Sequence, residues 1–172
     1  MRKSMVCLYA SFLLIVHFAL SSFSEEIGTA PVSVQAAIFL KLLEFDKNIS
    51  SGGSINVYVV GSSEFAAAMK QAEGKAVGGA TIGKVIEGAG LPSEKPSVIY
   101  IGTASVLGEI QKYTTTNKIL SISGLPDLAS KGVTLTVGIS EGKPKIMLNL
   151  TASKDEGIDW NPAILKVAAT VK

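Results

Sequence analysis

The apolar residues after Pro31 recur with the period of an α-helix, which predicts an amphipathic first helix over residues 32–45. The apolar stripe comprises Val34, Ile38, Leu42 and Phe45. Two aromatic residues, Phe39 and Phe45, lie on this helix. Helical spacing favours both as core residues, and the alternative is that they contact a partner protein.

A β-branched, apolar segment over residues 55–60 predicts a buried strand that ends at Gly61. Ser62 or Ser63 then supplies the N-cap of a second helix, which we expect to stop at Gly74. The order of this unit is therefore strand, glycine, hydroxyl residue and helix.

The same order recurs about 40 residues later. A strand over residues 97–101 ends at Gly102, and Thr103 or Ser105 opens a helix that we expect to reach about Tyr113. Near-continuous apolar strands that alternate with helices are typical of a partly parallel sheet covered on both faces.

The remaining apolar segments complete the predicted fold. Further strands are expected over residues 81–87 and 118–123, and alternation over 133–139 and 146–150 predicts a β-hairpin. Asn161 followed by proline predicts an N-cap and a final helix. Together these elements predict an α/β fold with a central mixed, partly parallel sheet, helices on both faces, and a C-terminal β-hairpin and helix.

Residues 1–24 have the layout of a secretory signal peptide. Arg2 and Lys3 precede an apolar run over residues 5–20, and a small-x-small site that ends at Ser24 follows. The run is shorter than the ~20 residues that span a bilayer, which favours cleavage over the alternative of an uncleaved membrane anchor. We expect residues 25–172 to form a single exported domain that does not insert stably into the membrane.

Removal of this segment changes the chemistry of the chain. Arg2, Cys7 and His17 are the only arginine, cysteine and histidine in the sequence. Two of the 16 basic residues lie in the segment and all 14 acidic residues follow it, so the exported part is neutral. A neutral protein is not steered toward nucleic acid. Without cysteine it also forms no disulfide, so packing alone must stabilise it.

The exported part lacks the residue types that most enzymes and metal sites use. Histidine and cysteine are the commonest acid-base groups, nucleophiles and zinc ligands, and the sequence contains no dinucleotide or phosphate-loop motif. We therefore predict no catalytic residue, no cofactor and no metal site. An enzyme with a Ser-Lys or carboxylate mechanism is the hypothesis ranked last, since no Ser-x-x-Lys motif stands in a nucleophile-like context.

Two features near the C-terminus have both a functional and a structural explanation. Asp155, Glu156 and Asp159 carry oxygen ligands that suit a hard cation, but their spacing does not match a calcium loop and favours a solvated connection. Trp160, the only tryptophan, is a candidate partner-binding residue. The alternative, which we favour, is a packing role beside the helix cap that follows it.

The two strand-glycine turns are the candidate ligand-binding site. If their strands are parallel neighbours, both helix N-termini meet at the carboxyl edge of the sheet, where α/β folds usually bind ligands. The candidate residues are Gly61, Ser62, Ser63, Gly102 and Thr103. The favoured alternative is that these residues only form tight turns and helix caps.

Seven short motifs follow one another from residue 34 to residue 171, and their order and spacing are more specific than any one of them. They comprise residues 34–39, 57–61, 77–79, 98–102, 119–123, 146–150 and 164–168. In this order they resemble the YfiR-type family of small periplasmic regulators. The chain departs from that family's pattern at Phe45-Asp46-Lys47, where members commonly have a Trp-Pro step, and in its lack of disulfides.

The resemblance implies an α/β periplasmic protein, often dimeric and without enzymatic activity. Such a protein restrains the periplasmic sensing domain of an inner-membrane diguanylate cyclase, which lowers cyclic-di-GMP signalling and biofilm formation. The leading hypothesis is therefore a regulator that binds the periplasmic domain of a diguanylate cyclase or a sensor kinase. The alternative is a small-ligand-binding module that uses the crevice at the carboxyl edge of the sheet.

Overall fold

The computed structural model describes residues 26–171, so the predicted signal peptide lies outside the described residues. The strands and helices alternate along most of the chain, as the apolar pattern predicts. The strands are β1 (Gly28–Thr29), β2 (Ser54–Val60), β3 (Ala76–Val77), β4 (Ala80–Gly88), β5 (Val98–Ile101), β6 (Leu120–Ser123), β7 (Leu135–Ser140), β8 (Lys143–Asn149) and β9 (Ala169–Val171). The α-helices are α1 (Val32–Leu42), α2 (Lys47–Ser50), α3 (Ser63–Lys70), α4 (Leu107–Asn117) and α5 (Leu150–Asp155). Short 3-10 helices cover Leu43–Phe45, Ala104–Val106, Pro126–Leu128 and Pro162–Lys166.

All the strands belong to one mixed sheet, in the order β3-β4-β2-β5-β6-β7-β8-β9, with β1 paired to β7. The central pairs from β4 through β2, β5 and β6 to β7 are parallel. Antiparallel pairs form the β3–β4 edge and the predicted β7–β8 hairpin. The predicted α/β class and the partly parallel sheet are therefore confirmed.

Each face of the sheet packs against its own helices. On one face, α1 and α3 cover the larger apolar core. On the other face, α4 and the turn at Pro126–Leu128 cover a smaller core. Alternation of side chains along β2 explains the division, since Val57 and Val59 belong to the first core and Tyr58 and Val60 to the second.

The predicted helix caps are present. The Ser62 hydroxyl accepts the Phe65 amide hydrogen bond at 3.2 Å, and Thr103 caps the 3-10 turn that leads into α4. The Asn161 side chain accepts the Ala163 amide at 3.0 Å. Within residues 26–171, no helix is long and apolar enough to cross a membrane.

The C-terminal region differs in detail from the sequence prediction. The helix capped by Asn161 is a 3-10 helix that ends at Lys166, and the chain then forms β9 where the prediction continued the helix. The reason is that β8 has a free edge, with which Ala169–Val171 pairs in parallel. The strand predicted to reach residue 150 ends at Asn149, because that side chain caps α5 by accepting the Ala152 amide at 2.8 Å.

Candidate functional site

The two strand-glycine turns lie at a reversal of strand order. The chain runs from β2 through α3 to β4, which lies on one side of the β2–β5 pair. It runs from β5 through α4 to β6, which lies on the other side of that pair. Since β2 and β5 are parallel neighbours, their carboxyl ends meet at this reversal. In open α/β sheets such a reversal is the usual place for a ligand.

Close contacts between the two turns fill the space between them. A Cβ atom on Gly61, which has a φ of +74°, would lie 2.6 Å from Cγ2 of Thr103. A Cβ atom on Gly102 would lie 2.6 Å from the carbonyl oxygen of Gly61. The Gly102 amide also donates to the Val60 carbonyl oxygen at 2.7 Å. The glycines thus permit a close contact between the turns, which is the role that the tight-turn alternative assigned to them.

An open cleft of about 520 Å³ lies beside this contact, on the β4 side. Of the candidate ligand residues, Gly61 lines the cleft, and Glu87 and Gly88 of β4 form the opposite wall. The Ser63 hydroxyl donates a hydrogen bond to the Glu87 carboxylate. The other candidate residues, Ser62, Ser63, Gly102 and Thr103, are not among the residues that line it. A carboxylate in this position disfavours an anionic ligand, because like charges repel.

A buried glutamine occupies the next position along the same edge and was not predicted from the sequence. The Gln35 amide group donates to the Ala30 carbonyl oxygen at 2.7 Å and accepts from the Tyr100 hydroxyl at 2.8 Å. Its side chain packs directly over Gly124, where a Cβ atom would collide with it. Burial raises the pKa of Tyr100 to about 12, so the phenol stays a neutral donor at physiological pH. The sequence signal that could have indicated this buried amide is a polar residue, Gln35, among the apolar positions of α1.

Phe39 is a core residue and is not available to a partner protein. Its side chain is 0% exposed, and its ring makes edge contacts with Phe65 at 5.9 Å and with Tyr100 at 6.2 Å between centroids. The Phe65 and Tyr100 rings stack on each other at 3.6 Å. The partner-binding interpretation of Phe39 is therefore corrected, because three packed aromatic rings hold this side chain inside the domain.

The other two candidate partner residues, Phe45 and Trp160, lie on chain segments that pair with each other. The Asn161 amide donates to the Phe45 carbonyl oxygen at 2.7 Å, and the Lys47 amide donates to the Asp159 carbonyl oxygen at 2.9 Å. A salt bridge of 2.8 Å between the Lys47 and Asp159 side chains connects the same two segments. Phe45 and Trp160 are half-buried, so each has a packed side and an exposed side.

Trp160 belongs to a segment that we call the C-terminal arm, residues 158–171. The arm contacts the end of the first helix, where the 3-10 helix of the arm packs against Leu43–Phe45. The indole Nε1 of Trp160 donates to the Ser153 hydroxyl at 2.9 Å. On the same arm, Leu165 and Val167 are 53% and 49% exposed. We use the name arm surface for the exposed parts of four residues on these paired segments, Phe45, Trp160, Leu165 and Val167.

The acidic cluster does not act as one unit. Asp155 is exposed and Asp159 pairs with Lys47. Glu156, by contrast, is 2% exposed and accepts from the Ser121 amide at 2.9 Å and from the Thr134 hydroxyl at 2.6 Å. The predicted solvated connection is therefore wrong for Glu156. Among the described residues, no group of three or more acidic side chains is placed to hold a metal ion.

The comparisons with known proteins fit this fold. A family model described as YfiR/HmsC-like matches residues 33–169. A conserved domain protein of Vibrio cholerae has a similar structure, with a TM-score of 0.56 and 15% identity over 84% of this chain and 61% of that one. An ABC domain of Streptococcus pneumoniae in complex with L-Trp has a TM-score of 0.51 and 15% identity, over 83% and 60% of the two chains. The chain thus spans about three fifths of each solved structure, and at this identity the likeness shows the fold alone. No curated protein matches the sequence.

Proposed function

Since the chain belongs to the YfiR/HmsC-like family of periplasmic regulators, we propose that it binds the periplasmic sensor domain of an inner-membrane diguanylate cyclase and restrains it. In this proposal, cleavage after Ser24 releases residues 25–172 as one domain. The domain acts by contact and not by catalysis, because its sequence contains no histidine, cysteine or arginine. Its binding would lower cyclic-di-GMP production.

The arm surface is the observation that carries this proposal. Leu165 and Val167 are the two most exposed of the large apolar side chains among the described residues. They lie on the same arm as Trp160, and tryptophan is enriched in the energetic centres of protein interfaces. The arm thus offers a partner two exposed apolar side chains and carries an anchored aromatic residue in the same segment.

Deletion of the gene, followed by measurement of cyclic-di-GMP, tests the proposal. We expect the nucleotide to rise, because a restraint on its synthesis is lost. Complementation with the wild-type gene should lower it again, whereas the variant Leu165→Asp should not. A charged side chain in the centre of an apolar contact is costly unless the partner supplies a counter-charge.

Leu91→Asp is the matched control variant. Leu91 is also an exposed leucine, at 42%, but it lies in the loop between β4 and β5, away from the arm. It should complement like wild type. An unchanged nucleotide level in the deletion strain, or full complementation by Leu165→Asp, would contradict the proposal.

The cleft beside Gly61 favours a second candidate function, the binding of a small neutral or cationic ligand. The cleft lies at the reversal of strand order, and Glu87 supplies a carboxylate at its wall. A thermal-shift screen over periplasmic metabolites tests it, since a bound ligand raises the melting temperature by mass action. A shift caused by a cationic ligand should disappear in Glu87→Gln and persist in Glu94→Gln, which alters a carboxylate in the loop beyond this cleft. A screen without any shift would exclude the ligands tested.

A further inference from the structure

Glu156 lies where three parts of the chain meet: the end of α5, β6 and the residue before β7. It follows α5 directly, and its carboxylate accepts from the Ser121 amide of β6 and the Thr134 hydroxyl next to β7. The Thr134 amide in turn donates to the Ser121 hydroxyl at 3.0 Å. One carboxylate therefore ties the chain that enters the C-terminal arm to the sheet.

The sheet has a place for this carboxylate because β6 and β7 pair only briefly. Their pairs are Ile122 with Leu135 and Ser123 with Thr136. The Ser121 amide, one residue before these pairs, donates to Glu156 instead of to a neighbouring strand. Glu156 thus takes over a hydrogen bond that a longer strand pairing would have made.

The charged groups around Glu156 do not neutralise it. Lys118, after α4, donates to the Asp155 carbonyl oxygen at 2.7 Å. Lys131 and the Asp155 carboxylate lie with Glu156 along a cleft of about 440 Å³, and Lys154 of α5 is exposed. In the described part of the chain, Lys118, Lys131 and Lys154 form no salt bridge with the Glu156 carboxylate. Its partners are uncharged amide and hydroxyl donors, which offset only part of the cost of burying a charge.

We propose that Glu156 is a proton-linked anchor: the domain takes up a proton at this carboxyl group when it folds, and the anchor holds the C-terminal arm more tightly at mildly acidic than at alkaline pH. A protonated carboxyl group keeps an oxygen that accepts from Ser121 and Thr134, while the buried charge is removed. This inference does not depend on the proposed partner, because it concerns the domain alone.

The direction of the pH dependence follows from the burial of the group. Desolvation raises the pKa of Glu156 above the ordinary 4.5, and the hydrogen bonds from Thr134 and Ser121 lower it by a smaller amount. A group whose pKa is higher in the folded state contributes stability that is complete below its unfolded pKa. That contribution is lost as the pH rises through the folded pKa.

Urea unfolding of wild type and Glu156→Gln at pH 5 and pH 8 tests the anchor. The glutamine keeps the acceptor oxygen and has no charge, so it mimics the protonated state at both pH values. We divide the unfolding constant of Glu156→Gln by that of wild type, and we expect this ratio to be about tenfold higher at pH 5 than at pH 8, because wild type gains stability at the lower pH. The control Asp155→Asn removes the adjacent, exposed carboxylate and should shift its ratio by less than about twofold. An equally flat ratio for Glu156→Gln would overturn the proposal.

Two measurements on wild type keep the test decisive if Glu156→Gln does not fold. In a carbon-13 NMR titration of the side-chain carboxyl groups, one glutamate should titrate above the others, and the Ser121 amide should shift with the same midpoint. Protection of the Ile158 amide, which donates to the Ser153 carbonyl oxygen at 2.9 Å, should fall above that midpoint. Ordinary titration of every glutamate, or protection of Ile158 that is independent of pH, would overturn the proposal.

Discussion

The carboxyl edge of the sheet is closely packed, whereas the C-terminal arm leaves apolar side chains exposed. At the edge, two turns lie in close contact because neither Gly61 nor Gly102 has a side chain that would keep them apart. The arm is held by a few side-chain anchors and leaves Leu165 and Val167 exposed. Glycine at the end of a strand can therefore mark a closed contact rather than a binding site, and apolar residues left exposed beside buried anchors are the stronger sign of a docking surface.

The arm depends on anchors that come from different parts of the domain. Ile164 inserts into the larger core, and Trp160 donates to Ser153. Asp46 pairs with Trp160 in an isolated β-bridge, which joins the arm to the end of the first helix. Because the anchors are separate, substitutions can weaken them one at a time and test whether the arm and the edge differ as described.

Substitution of the buried anchor should have the largest effect. Ile164 is fully buried, so Ile164→Ala removes apolar contacts and leaves a cavity, which should cost about 2–5 kcal/mol of unfolding free energy. The neighbouring Leu165→Ala should change that free energy by less than about 0.5 kcal/mol, because Leu165 is exposed. Urea denaturation measures both. Similar losses for the two variants would mean that the arm is packed throughout and offers no free surface.

The closed edge should respond to the addition of a single methyl group. Gly102→Ala places a Cβ atom 2.6 Å from the Gly61 carbonyl oxygen and 2.8 Å from Cβ of Ser62. Since backbone atoms cannot move aside as a flexible side chain can, the variant should lose about 1–3 kcal/mol. Thermal or urea unfolding detects this loss.

Gly108→Ala is the matched control for the edge. Gly108 lies in α4 and is exposed, and a Cβ atom added to it would meet no neighbouring atom within 4 Å. Alanine should stabilise the helix there by about 0.4–1 kcal/mol, because it restricts the unfolded chain and favours helix. If Gly102→Ala were tolerated as well as Gly108→Ala, the two turns would be separable and a ligand group could enter between them.

The parts of the fold that sequence reasoning predicted are those in which local signals decide the structure. The strand-glycine-cap order around Gly61 and Gly102 depends on neighbouring residues, and both units are present with the predicted caps Ser62 and Thr103. The hairpin formed by β7 and β8 follows from alternation in the same way. Local patterning thus predicted the centre of the sheet and its class.

The parts that were missed depend on residues far apart in sequence. Gln35 is buried because Tyr100, 65 positions later, and Gly124 surround its amide. Glu156 is buried because Ser121 and Thr134 supply donors, and β9 forms because β8 has a free edge. The spacing of the acidic residues predicted a solvated position for Glu156. The partners that allow its burial come together only in the assembled sheet.

Asp46 joins the arm to the first helix and should give the smallest effect. The carboxyl group is buried, with one oxygen accepting the Asn48 and Ile49 amides at 2.9 and 3.4 Å. Its other oxygen, Oδ2, has no hydrogen-bond partner within the described part of the chain. Desolvation is the largest cause that raises the pKa of Asp46, and the nearby Asp159 charge adds to it, whereas the two amide hydrogen bonds lower it. The charged form is therefore held less well in the folded protein than in the unfolded one.

The raised pKa of Asp46 means that its contribution to stability is complete at low pH and is lost as the pH rises through the folded value. Asp46→Asn keeps the acceptor for the two amides and removes the charge. Wild type should therefore gain stability relative to Asp46→Asn as the pH falls from 8 to 4, by less than about 1 kcal/mol, because two amides already compensate part of the buried charge. Glu44→Gln, which alters an exposed carboxylate two residues away, should show no such trend. A trend of equal size in both variants would assign the effect to the net charge of this end of the helix, and the bridge to Trp160 would then be independent of the Asp46 charge.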